Sequence, residues 1–113
     1  MAQPSDHNEN FRQQHPKVWN AFAKLADECH GAGPLDDKNR KLIKVALAIG
    51  AGLEGATHSA MRHALDAGVT HEELDHVALL AITTLGYPSA MRALSWIQDQ
   101  PSVASNAGPD GDR

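Results

Sequence analysis

The sequence predicts an all-α fold, a bundle of about five helices, and three observations predict it. Apolar residues recur at helical spacing through residues 18–97. Glycine, proline and capping residues punctuate that stretch at helix-length intervals, at 31–34, 50–52, 68–70 and 86–88. No segment alternates apolar and polar side chains as a half-buried strand does.

Each element follows from its residues. Val18, Phe22, Leu25 and Ala26 form one helical stripe, opened by Pro16 in the first turn and ended by Gly31, Gly33 and Pro34. Asp36 and Asp37 suit the N-terminus of the next helix as caps and as charges. Its Leu42, Ile43, Val45, Ala46, Leu47 and Ile49 are apolar on most sides, which predicts the buried centre of the bundle. Gly50 and Gly52 interrupt it. A third helix is expected over 53–67, stopped by Gly68. Thr70 and Glu73 make a capping box for a fourth, whose apolar face is Leu74, Val77, Ala78, Ala81, Ile82 and Leu85. Gly86, Tyr87 and Pro88 break it, and a last helix over 89–98 packs Met91, Leu94 and Ile97. Trp19 and Trp96 are expected as packing anchors.

The chain has 113 residues and 12.1 kDa, room for one domain. Residues 1–14 are polar and read as a flexible N-terminal segment, 15–100 as the helical domain, and 101–113 as a flexible tail. A core of that size gains stability by burying a helix face against a second subunit, so a homo-oligomer is expected. Aromatics are 4% of the residues, so Ala, Leu, Ile and Val must build the core. A net charge of −4 argues against nucleic acid and anionic membranes as partners. No apolar run approaches the roughly 18 residues a membrane span needs, and no signal-peptide pattern is visible, so a cytoplasmic location is expected. The single cysteine, Cys29, excludes an internal disulfide. The seven histidines make the charge pH-sensitive.

Four segments in order, LDDKNRKLI, HALDAG, GVTHEEL and LGYPSA, resemble the carboxymuconolactone decarboxylase family, which includes the AhpD-like alkylhydroperoxidases. The resemblance covers about residues 35–97. It implies an all-α domain that assembles into homotrimers or homohexamers. AhpD-like members place Cys-x-x-Cys at the start of the third helix, with a histidine four residues after the second cysteine and a glutamate upstream. A thiolate there is stabilised by the positive end of the helix dipole. Here Leu53-Glu54-Gly55-Ala56 occupies the cysteine register, the histidine position falls on Ala60 and the glutamate position on Lys41. A dithiol peroxidase mechanism is therefore disfavoured. The decarboxylase branch needs no cysteine, although it commonly has a histidine at the position of Ala60.

Glu54, His58 and Arg62 lie four residues apart on one helix face, beginning in the segment where the family keeps its active site. His58 is read as general acid or base, Glu54 as its orienting partner and Arg62 as the substrate's anion clamp. The plain alternative is a solvated ion-pair ladder, worth a few tenths of a kcal/mol per pair. Two residues from Ala60, about 200° around the helix, His58 is no shifted copy of the family histidine. Tyr87, beside the Gly86–Pro88 break, is a further substrate-binding candidate. No two potential ligands share a metal-site spacing, so no metal and no cofactor is expected. The function expected is acid–base chemistry, decarboxylase- or lyase-type, on a small acidic organic molecule. The alternative is a non-catalytic helical oligomer serving as a binding or assembly module.

Overall fold

The structure, a computed structural model, describes residues 4–100, with side chains from residue 8 onward. It is all-helical, with six helices among the described residues: α1 (Pro4–Gln14), α2 (Pro16–Gly31), α3 (Asp37–Ala51), α4 (Glu54–Asp66), α5 (His71–Leu85) and α6 (Tyr87–Gln98). They fall into two compact units, Met1–Leu35 and Asp36–Arg113. The expected tail at 101–113 lies outside the described residues.

The first unit holds α1 and α2. Helix α1 occupies a stretch that hydrophobic periodicity leaves as a polar segment. Its support is local: Glu9 pairs with Arg12 three residues on and accepts from Gln13 four residues on, at 3.1 Å. Such pairs leave no apolar stripe to detect. Phe11, Trp19 and Phe22 form a chain of ring contacts, each 6.4 Å between centroids. No residue of α2 is buried, and Val18, Phe22 and Leu25 are more than half exposed.

The second unit is a ring of four helices in which α3 contacts α4, α4 contacts α6, α6 contacts α5 and α5 contacts α3. Caps set the boundaries. The Asp36 carboxylate accepts from the Asn39 amide at 2.9 Å. The Thr70–Glu73 capping box forms in both directions, at 3.0 and 2.9 Å. Lys38 reaches Glu73 at 2.7 Å and ties α3 to the start of α5. That ion pair and the Thr70 amide hold the Glu73 carboxyl below its ordinary pKa. The interior is lined by Val45, Ile49, Met61, Leu65, Leu74 and Ile97, closed at one side by Trp96.

The expectation that α3 is buried on most sides is not met. Val45, Ala48 and Ile49 are buried, but Ile43 and Leu47 are exposed, because the ring covers only one face of the helix. The uncovered face continues onto α5, where Ala46 and Gly50 meet Val77, Leu80, Thr84 and Leu85 along an apolar groove.

Candidate functional site

The site is built around the turn between α3 and α4. Gly52 caps α3 in the left-handed region at φ 70°, a conformation glycine adopts without a Cβ penalty. The chain reverses in two residues, and Leu53 is the N-cap of α4, which begins at Glu54. Thr57 is fully buried, and its hydroxyl donates to the Leu53 carbonyl at 2.8 Å. The next side chain, His58, meets Trp96 of α6 and Gln100 just beyond it.

Both ring nitrogens of His58 are engaged. Nε2 lies 3.3 Å from Glu54 Oε2, and Nδ1 lies 2.7 Å from Gln100 Nε2. An amide nitrogen only donates, so Nδ1 accepts. In the neutral ring the proton then sits on Nε2 and points at the Glu54 carboxylate. The His58 side chain is 21% exposed, whereas Glu54 is 63% exposed. Trp96 flanks the imidazole, with centroids 6.3 Å apart and planes 55° apart.

Beside this pair stands Arg92. Its guanidinium carbon is 5.1 Å from the Trp96 ring centroid. On its other side is Gly52, where a Cβ would stand 3.2 Å from Nη2. Glycine at 52 thus serves both the turn and the close approach of Arg92.

The structure brings together two of the four residues that sequence reasoning selects, Glu54 and His58. Arg62 makes no ion pair with either among the described residues. Its charge acts instead on His63, whose pKa is lowered first by burial and then by Lys41, Arg62 and Lys44, against the opposing pull of Asp66. Tyr87 is 64% exposed and nine residues before Trp96, about 14 Å away along the axis of α6. Arg92 and Gln100 were missed, and Trp96 was read only as packing. Their common signal is the i, i+4, i+8 spacing of 92, 96 and 100, which puts them on one side of α6 and its C-terminal turn.

The resemblance sets four positions, Lys41, Leu53, Ala56 and Ala60, against the AhpD-type dithiol site. Leu53 is the exposed N-cap of α4, Ala56 is exposed in its first turn, and Ala60 packs on the core. Lys41 lies 3.5 Å from Asp37. Cys29 is exposed on α2, in the other unit. Among the described residues no group of three or more His, Cys, Asp or Glu side chains is placed to hold a metal ion.

A four-helix ring with its polar cluster at the α3–α4 break defines the class, and sequence comparison gives the family. The profile of the carboxymuconolactone decarboxylase family matches residues 15–99, and the chain belongs to that family. Among solved structures it is similar to a carboxymuconolactone decarboxylase family protein of Legionella pneumophila in its apo form. The TM-score is 0.71 and the identity 28%, over 83% of this chain and 84% of that one. It is also 26% identical over 88 residues to an uncharacterized protein of Methanocaldococcus jannaschii, covering 77% of this chain and 85% of the relative. No described helix is long and apolar enough to cross a membrane.

Proposed function

We propose that the protein carries out acid–base chemistry of the decarboxylase or lyase type on a small organic acid, with His58 transferring the proton and Glu54 orienting it. The observation that carries this reading is the pair of contacts at His58, to Glu54 through Nε2 and to Gln100 through Nδ1. A carboxylate on one imidazole nitrogen fixes the ring's orientation and tautomer, which makes the opposite nitrogen an oriented base. A substrate O–H or acidic C–H takes the place of the Gln100 amide at Nδ1. In a decarboxylation Nδ1 takes the carboxyl O–H proton, the electrons of the breaking C–C bond stay on the substrate carbon as carbon dioxide leaves, and the protonated imidazole returns that proton to the carbon. Membership of the family supports the class of reaction, and Leu53 and Ala56 in the cysteine register disfavour a dithiol peroxidase.

The test is a panel of small β-keto and lactone carboxylic acids, followed by carbon dioxide release and by deuterium uptake from solvent. His58→Ala is expected to lower turnover about 10²–10⁴-fold, the usual contribution of a positioned general acid or base. Glu54→Gln is expected to lower it less. Turnover unchanged in His58→Ala contradicts the assignment.

One observation favours a second role, self-association into a trimer or hexamer that serves as a binding or assembly module. Val18, Phe22 and Leu25 on α2, and Ile43, Leu47, Leu80 and Leu85 on α3 and α5, are exposed in the single chain. Sedimentation of the same preparations reads that role directly. A non-catalytic module shows an assembled mass, no turnover of the panel and no effect of His58→Ala.

A further inference from the structure

The guanidinium of Arg92 is positioned by two contacts that use none of its N–H donors. One is the face of Trp96, a ring 8% exposed and held in the core. The other is with Gly52, where an added Cβ would stand 3.2 Å from Nη2, close enough that the guanidinium would have to give by a few tenths of an ångström. The residue is otherwise exposed, and no described carboxylate lies within ion-pair distance of it. Glu54, two residues beyond Gly52, turns to His58 instead. A planar cation with five donors and no carboxylate partner among the described residues thus shares the Trp96 ring with an oriented base.

The spacing suits a small ligand. Trp96 lies between the two groups, 5.1 Å from the Arg92 guanidinium carbon and 6.3 Å from the His58 ring centre, so these two are at most about 11 Å apart. Charge-assisted N–H···O contacts span about 2.7–2.9 Å. A molecule bridging Arg92 and His58 needs only a few carbon atoms between its carboxylate and its reacting group. The guanidinium fork matches a carboxylate bidentately. With one cation at Arg92 and a carboxylate, Glu54, on His58, the site favours a monoanion over a phosphate dianion.

We infer that Arg92, seated on Trp96 and against Gly52, is the residue that recognises the substrate's carboxylate, and that Arg62 is not. The inference rests on the His58 site proposed above and names its specificity-determining residue. The cation–π contact with Trp96 places the guanidinium before the ligand arrives, so less side-chain freedom is lost on binding. Lysine at 92 keeps the charge and loses the fork.

The test uses the full ¹⁵N-labelled chain titrated with benzoate, with its neutral isostere benzamide, and with inorganic phosphate. Readouts are the Trp96 indole N–H and the Arg92 Nε–H signals. Benzoate is expected to shift both saturably in the parent chain, with the same affinity in Arg62→Met. Arg92→Lys is expected to weaken benzoate about tenfold and Arg92→Met by ten- to a hundredfold, the range for losing hydrogen bonds to a charged group. Should Arg92→Met fail to fold, Arg92→Lys decides. Unchanged benzoate affinity in that variant, loss of binding in Arg62→Met, equal binding of benzamide or phosphate, or no shift at Trp96 in the parent chain each overturns the inference. Benzoate binding retained in His58→Ala separates the two readings. Carboxylate recognition by Arg92 then stands even if His58 proves to have no role in turnover. Loss of turnover in His58→Ala with benzoate binding indifferent to residue 92 sinks the Arg92 inference alone.

Discussion

Leu74→Ala is expected to destabilise the protein by about 2–5 kcal/mol, the usual range for a leucine truncated in a well-packed core. Leu74 has no exposed surface and belongs to the cluster that joins Val45 and Ile49 of α3, Met61 and Leu65 of α4, and Ile97 of α6. It sits in the first turn of α5, beside Glu73, which the Thr70 capping box and the Lys38 ion pair hold in place. Those constraints limit how far the backbone can collapse into the cavity, which argues for the upper part of the range. The core is small and poor in aromatics, so such a loss is a large share of a typical domain's stability of about 5–15 kcal/mol. Urea unfolding followed by circular dichroism checks it. A midpoint shift equivalent to less than about 1 kcal/mol would show that Leu74 is not central to the core.

Gly86→Ala is expected to cost about 1–3 kcal/mol for a different reason. Gly86 joins α5 directly to α6 at φ 101° and ψ 157°, a region that is almost exclusive to glycine. Space is not the obstacle, since an added Cβ would meet only Pro88 Cδ, at 3.9 Å. The cost is conformational. It falls on the junction of the two helices that carry Leu74 on one side and Arg92, Trp96 and the approach to Gln100 on the other. The same urea measurement reads it. An alanine tolerated without loss would mean that the junction relaxes to an ordinary backbone conformation.

Much of the fold was legible because its signals are local. The capping box at Thr70 and Glu73, the aspartate cap of α3 and the glycines at 52, 68 and 86 each act within a few residues, and each sets a helix boundary. Helix α1 was not legible from periodicity, because polar pairs around Glu9 support it rather than an apolar stripe. The apolar run in α3 misled for the opposite reason. Composition shows that Ile43 and Leu47 seek cover, but it does not show whether a neighbour in the same chain supplies it. The candidate site divides along the same line. Glu54 and His58 are four residues apart and could be paired from spacing alone. Gln100 is forty-two residues from His58 and meets it only through the packing of α6 against α4. Arg92 reaches the site because Gly52, on the far side of the turn, leaves it room. Arg62 had the right spacing, but among the described residues it makes no ion pair with Glu54 or His58, and its charge acts on His63.

The central claim is that His58 is an oriented base, with its proton held by Glu54 and its lone pair presented at Nδ1. The ¹⁵N spectrum of the imidazole side chains tests this most directly. It is recorded on the full chain through a pH series, with His58 assigned by its loss in His58→Gln. In its neutral form His58 is expected to be protonated at Nε2 and bare at Nδ1, and Glu54→Gln to weaken this preference. A ring protonated at Nδ1, with Nε2 bare toward Glu54, would contradict it.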